Sequence, residues 1–366
     1  MPLELRLCYS DAYLQNIAEC LAGEADISQT DFISFVQGNG WEDLALKQRM
    51  ARLTEALVQF LPGSFEENIA ILKTILPAIS TKDFKYADML SMFVPEYVAV
   101  QGKGALETSL DALAVFTSTG TTSELAIRPF ILDHPERVMK RMLEWASHPH
   151  PHVRRFSSEG CRPRLPWAMA LPDFKKDPSL VMPILETLKR DDCLFVRKSV
   201  ANNLNDIAKD NPETVLSFAG KHLGSHQHTD WIIKHGCRTL LKNGNGPVLA
   251  LFGSGPAELS SNMLRLDKDT VQFGTDLTFE FEATVIAPIP QSLRLDYAID
   301  FVKANGKQSR KIFRLSDIKN PEKTVAIRKS HRFIDYSTRK HYAGEHVVAI
   351  ILNGEEVAKH TFTLLL

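Results

Sequence analysis

Hydrophobic positions along the first two thirds of the chain recur with a helical period. In WEDLALKQRMARLTEALVQFLPG, Leu44, Leu46, Met50, Leu53, Leu57 and Phe60 follow at spacings of two to four residues, and Pro62-Gly63 ends the run. Similar segments occur at 65–79, 107–117, 135–146, 180–189, 194–209 and 229–242, with no strand-like alternation between them. This predicts an all-helical array up to about residue 242. Within it one order of residues returns: large, β-branched apolar, basic, basic. It stands at His152-Val153-Arg154-Arg155, Phe195-Val196-Arg197-Lys198 and Ile232-Ile233-Lys234-His235, with Val153, Val196 and Ile233 separated by 43 and 37 residues. Helical hairpins of the HEAT and armadillo type repeat every ~40–47 residues, so the first step fits and the second is a little short. Hairpins stacked in this way bury one face and line a concave groove with another, which would align the basic pairs into a positive stripe.

The pattern then changes. NGNGPVLALFGSGPAELSS (243–261) is rich in Gly, Pro and Ser and predicts a domain junction. Beyond it Leu277, Phe279, Phe281, Ala283 and Val285 alternate with Thr278, Glu280, Glu282 and Thr284, and Leu293, Leu295, Tyr297, Ile299 and Phe301 repeat the alternation. Asn305-Gly306 and Asn353-Gly354 predict two-residue hairpin turns. The expected architecture is an all-α solenoid of HEAT-like repeats over 1–255, followed by an all-β, antiparallel immunoglobulin-like sandwich over 262–366 that lacks the usual inter-sheet disulfide.

Charge refines this picture. The formal net charge is −1, which excludes a uniformly basic nucleic-acid coat but not a local patch. Residues 301–341 hold twelve Lys/Arg against three acids, whereas residues 1–60 hold four against nine. Two basic surfaces, one helical and one on the sandwich, suit a bound polyanion. The N-terminal MPLELRLCYSD lacks a basic region followed by an apolar one, and no run of about 18 apolar residues occurs, so neither a signal peptide nor a membrane span is expected. Five cysteines without a C-x-x-C pair favour reduced thiols in a cytoplasmic protein over a disulfide framework or a zinc site.

Three stretches could carry chemistry. In HVRRFSSEGCRPRLPW (152–167), a helix would turn Val153 and Phe156 to the core and place Arg155, Glu159 and Arg162 on the opposite face. Pro163 and Pro166 would end it and set Arg164 and Trp167 on an ordered loop. Glu159 is then either a carboxylate held by arginines at a phosphate-binding surface or one rung of a surface ion-pair ladder. In FVRKSVANNLNDIAKD (195–210), Asp206 among asparagines is odd for a mid-helix position, and could also simply tie neighbouring helices together. SHPHPH (147–152) resembles a metal motif, but its alternating prolines prevent two imidazoles from converging at i, i+4, which favours a polar loop and no metal. There is no Gly-x-Ser-x-Gly elbow, phosphate-cradling glycine loop or HExxH to support a hydrolase, kinase or zincin of those types.

TTSELAIRPFI (121–131), HVRRFSSEGCRPRLPW (152–167), VRKSVANNLNDIAKD (196–210) and IIKHGCRTLLKNG (232–244) together resemble, in order, the motif series of the AlkC-type alkylpurine DNA glycosylases. These belong to the DNA alkylation repair superfamily of HEAT-like-repeat proteins, and some members carry a C-terminal immunoglobulin-like domain. The resemblance implies a monomeric, cofactor-free enzyme that excises cationic methylated bases such as 3-methyladenine and 3-methylcytosine from double-stranded DNA. It implies Glu124, Glu159 and Asp206 as active-site carboxylates and Trp167 as an aromatic wall. It also implies a lesion reached in bent, still-stacked DNA rather than one flipped into a pocket. Arg154, Arg155, Arg162, Arg164, Arg197, Lys198, Lys234 and Arg238 would then grip phosphates. A basic loop around 328–341, with Arg328, Lys329, Arg332, Arg339 and Lys340, would clamp the duplex. The alternatives are a non-enzymatic HEAT scaffold and a damage sensor without catalysis.

Overall fold

The computed structural model describes residues 5–38, 40–81, 83–336 and 339–366; Ser337 and Thr338 of the predicted basic loop lie outside the described residues. The chain divides into two compact units. One holds the residues up to Val215 with His222–Gly236, and the other holds Leu216–Lys221 with Cys237–Leu366.

The first unit is helical, as the periodicity predicts. It contains α1 (Asp11–Glu24), α2 (Gln29–Gln37), α3 (Leu46–Phe60), α4 (Phe65–Ile79), α5 (Ala87–Leu90), α6 (Phe93–Gln101) and α7 (Leu106–Thr119). It continues with α8 (Arg128–Asp133), α9 (Pro135–Trp145), α10 (Pro151–Glu159), α11 (Pro172–Lys176), α12 (Met182–Leu188) and α13 (Leu194–Ile207), and after α14 (Pro212–His222) it ends with α15 (Gln227–Gly236). Helices α1, α4, α7, α10, α13 and α15 form a row, each packed on the next, which is the spine of the repeat array. No helix among the described residues is long and apolar enough to cross a membrane.

The repeat visible in the sequence has a physical basis. In α10 and α13 a buried apolar residue (Val153, Val196) precedes two outward basic ones, and two buried residues follow (Phe156-Ser157, Ser199-Val200). In α15, Ile233 precedes Lys234 and His235 in the same way, with Gly236 buried after them. A side-chain acceptor also stands at the start of each helix, bonding the residue just before α10 and α13 and a first-turn amide of α15. His148 Nδ1 accepts from the His150 amide, the Asp191 carboxylate from the Cys193 amide, and His226 Nδ1 from the His228 amide, at 3.0, 2.8 and 3.2 Å. SHPHPH is thus only partly a loop: His148 braces the turn that leads into the helix, and Pro151 and His152 already form the first turn of α10.

Besides Leu216–Lys221 of α14, the second unit holds α16 (Arg238–Lys242) and α17 (Gly246–Leu251), so the glycine-rich stretch at 243–261 is not a bare junction. Two sheets follow. One has the order β1 (Leu259–Leu266), β3 (Asp276–Val285), β6 (Thr324–Arg332). The other runs β2 (Thr270–Gln272), β8 (Glu355–Leu365), β7 (Gly344–Leu352), β4 (Ser292–Val302), β5 (Gln308–Lys319). All pairings are antiparallel except β2 with β8, which is parallel. The predicted alternation is realised: Leu277, Phe279, Phe281, Ala283 and Val285 meet Leu293, Leu295, Tyr297, Ile299 and Phe301 in one core. Asn353 (φ 45°) and Gly354 (φ 90°) make the two-residue turn expected there. The other hairpin is longer than expected: Gly306 closes a turn on the Lys303 carbonyl, and the Lys303 amide bonds the Lys307 carbonyl.

Candidate active site on the helical array

Packing of α10 on α13 brings the sequence-selected carboxylates together. Asn203 on α13 donates from Nδ2 to the Ser158 carbonyl of α10 at 2.8 Å and so fixes the register between the two helices. That register sets Asp206, near the end of α13, opposite Arg162, just past the end of α10. Arg162 donates from Nε to Asp206 Oδ2 at 2.9 Å and from Nη1 to Glu159 Oε1 at 2.6 Å. Arg155, one turn before Glu159, lies 3.7 Å from the same Oε1 and also pairs with Glu124, in the segment between α7 and α8. Lys209 Nζ donates to the other oxygen of Asp206, Oδ1, at 3.0 Å. The result is one string of alternating charge: Glu124, Arg155, Glu159, Arg162, Asp206, Lys209.

The carboxylates of the string are buried. Glu124, Glu159 and Asp206 are 4, 6 and 3 % exposed, and so are withdrawn from the solvent that would screen an exposed ladder. Burial alone would lower the affinity of Arg162 for its proton. The neighbouring Glu159 and Asp206 carboxylates outweigh it and hold the guanidinium more firmly charged than usual. Removing one member of such a pair leaves a charge stranded, at a cost of about 3–5 kcal/mol. Asp206 ties neighbouring repeats together and also belongs to the carboxylate cluster.

Trp167 lies on the loop after α10 and is 57 % exposed, with a left-handed backbone (φ 68°) that bulky residues rarely adopt. Lys47 donates to its carbonyl at 2.8 Å. The loop is anchored from below by Arg128, which the sequence reading passed over although it stands within TTSELAIRPFI. Its fully buried guanidinium donates to the carbonyls of Met169, Gly160 and Arg162 at 2.6, 2.9 and 2.9 Å. Burial pulls its pKa down to about 10, so it remains a cation at neutral pH. Burial likewise pushes the Cys161 thiol up to about 12, which makes it inert packing. Beside the string, a cavity of about 560 Å³ opens on Glu124, Arg155, His152, Phe195 and Tyr86.

The predicted phosphate contacts need correction. Arg154 forms a bidentate pair with Asp191 at 2.6 and 3.2 Å and donates to the carbonyls of His148 and Pro149. Arg197 repeats the pattern, donating to the carbonyls of Asp191 and Asp192, both at 2.8 Å. In α10 and α13 the first basic residue of the pair therefore folds back to brace the loop before its own helix, and no continuous stripe forms. Arg164 is held bidentately by Asp210. Lys198 and Lys234 are exposed, and Arg238 is half-buried in α16.

On the sandwich, the predicted basic loop is partly strand β6. Arg328 and Arg332 project outward toward Glu280 and Asp276 at 3.5 and 3.9 Å, and Lys329 lies on the alternate face. Arg339 turns inward, its guanidinium carbon 4.7 Å from the Phe301 ring centroid and with Nε and Nη1 buried. That removes it from the exposed cations, whereas Lys340 remains exposed. The charge excess counted along 301–341 is also cut by acids outside that window, since Arg310 pairs with Asp300 and Glu356 at 2.8 and 2.7 Å.

A family described as DNA alkylation repair enzyme matches residues 117–240, and one described as the C-terminal Ig-like domain of the uncharacterised protein YhaZ matches residues 260–366. The Uncharacterized protein YhaZ of Bacillus subtilis (strain 168) is 39 % identical over 355 residues, 96 % of this chain and 97 % of its own. A solved structure of the Pseudomonas fluorescens alkylpurine DNA glycosylase AlkC, bound to DNA containing an abasic site analog, superposes with a TM-score of 0.88 at 36 % identity, covering 99 % of both chains. With near-complete coverage by both relatives, the chain belongs to the DNA alkylation repair family and has the AlkC-like helical fold with a C-terminal Ig-like domain.

Proposed function

We propose that the protein is a DNA glycosylase that excises cationic methylated bases, 3-methyladenine and 3-methylcytosine, from duplex DNA. The observation that carries this is the string of three buried carboxylates, Glu124 after α7, Glu159 on α10 and Asp206 on α13, joined by Arg155 and Arg162. In DNA, adenine or cytosine methylated at N3 carries positive charge, because the methyl group takes up a ring-nitrogen lone pair. When its bond to C1′ breaks, the electron pair passes to the base and neutralises it, so no general acid is required.

The burden falls on the sugar. It becomes an oxocarbenium ion, which carboxylates in a partly desolvated site stabilise through space. A water then forms the new bond at C1′ and gives its proton to a carboxylate. Asp206 and Glu159 are the principal pair in this scheme, with Glu124 assisting. Trp167 offers an electron-rich face to the cationic ring or sugar, an interaction of ~0.5–2 kcal/mol. Its exposed position suits a lesion approached on the surface of bent DNA better than one swallowed by a deep pocket. Lys198 and Lys234 on one unit, and Arg238, Arg328, Arg332 and Lys340 on the other, are the phosphate contacts in this scheme.

The test is chemical. Incubation of the protein with methylated duplex DNA, followed by chromatography of the supernatant, should reveal free 3-methyladenine and 3-methylcytosine. Failure to release any base would leave a non-enzymatic scaffold or sensor as the better account.

A further inference from the structure

Charges in the active-site string cancel. Three carboxylates, Glu124, Glu159 and Asp206, face three cations, Arg155, Arg162 and Lys209. A carboxylate already answered by a cation has little attraction left for a developing sugar cation. At Asp206 both oxygens are taken: Oδ2 by Arg162 Nε and Nη2, both at 2.9 Å, and Oδ1 by Lys209 Nζ at 3.0 Å. For Asp206 to act, one of these cations must withdraw.

The two are not equally free to do so. Arg162 is bonded to Glu159 as well, its side chain is 9 % exposed, and its own carbonyl is held by Arg128. Lys209 stands just past the end of α13, and its side chain is 39 % exposed. Among the described residues, Asp206 is the only partner of its ammonium. A lysine is a compact charge on a flexible stem, which swings more readily than a guanidinium fixed by two carboxylates.

The geometry points to Lys209 as a positioning residue that caps Asp206 and is drawn off by a DNA phosphate. Without DNA it holds Oδ1 and keeps the cluster neutral. A phosphate beside the lesion competes for the ammonium, and its departure bares Oδ1 toward the sugar while Arg162 keeps Oδ2 fixed. Docking and arming of the carboxylate then become one event, and a duplex held in the wrong register leaves Asp206 capped. This rests on the glycosylase assignment above.

Single-turnover excision from a duplex carrying one 3-methylcytosine, with neutral methylphosphonates placed one at a time at the phosphates flanking the lesion, tests it. Wild-type protein should show one position where the neutral linkage slows excision about tenfold, and in Lys209→Met and Lys209→Gln that position should lose its effect to within about twofold. Lys209→Arg should restore the sensitivity. A purely structural lysine would not couple to one phosphate, so wild-type excision with equal methylphosphonate profiles in Lys209→Met and Lys209→Gln overturns the cap. Absence of wild-type excision would instead overturn the glycosylase assignment itself.

Discussion

At the scale of single residues, Arg162 and Arg128 do most to shape the site, and they differ in what they hold. Arg162 joins two carboxylates, whereas Arg128 holds only backbone. Arg128→Met should cost about 3 kcal/mol or more in chemical denaturation, because three carbonyls lose a charged donor inside the protein. It should also lower base release by loosening the loop of Arg162 and Trp167. The ion pairs of Glu159 were legible in the sequence because Arg155 stands four residues before it on the same helix and Arg162 only three beyond it, just past the helix end. Glu124 was not legible from spacing, since its arginine lies 31 residues further on and only the family motif singles it out. Arg154 and Arg197 misled for a related reason: a run of basic residues does not reveal that one of each pair turns back on carbonyls five and six positions earlier.

At the scale of elements, the repeat was readable from one buried residue followed by two basic ones, while its variable length was not explained by that pattern. The glycine-rich stretch at 243–246 looked like punctuation but packs closely. A Cβ on Gly244 would come within 2.8 Å of Gly354 backbone, and one on Gly354 within 2.7 Å of Gly244 backbone, and both have positive φ. Gly354→Ala should therefore destabilise the second unit by more than ~1 kcal/mol, readable as a lower midpoint in urea. A second prediction concerns pH. His331 donates to or accepts from the Tyr297 hydroxyl at 2.9 Å within an aromatic cluster, and burial lowers its pKa from 6.5 to about 4. The unfolded chain takes up that proton first, so stability is full above pH 6.5 and is lost as pH falls from 6.5 toward 4. The melting temperature of the sandwich should drop across that window, and His331→Phe should flatten the drop.

At the scale of the whole molecule, the near-zero net charge conceals how the cations are used. Many serve internal pairs, and a smaller exposed set is left for a polyanion. Lys198→Ala with Lys234→Ala should weaken DNA binding regardless of sequence and make its dependence on log salt shallower by ~2. Arg328→Ala with Arg332→Ala should do the same if the sandwich contacts the duplex; an unchanged slope would remove that face from the interface. Charge along the chain could not separate these roles, because pairing is decided across strands and between repeats. The central claim, that the buried carboxylates perform glycosidic cleavage, is tested most directly by single-turnover base release from methylated duplex DNA, comparing wild type with Glu159→Gln and Asp206→Asn proteins of verified folding. The account predicts release by the wild type, with losses of about 10²–10³-fold in each variant. Undiminished release by both variants would contradict it.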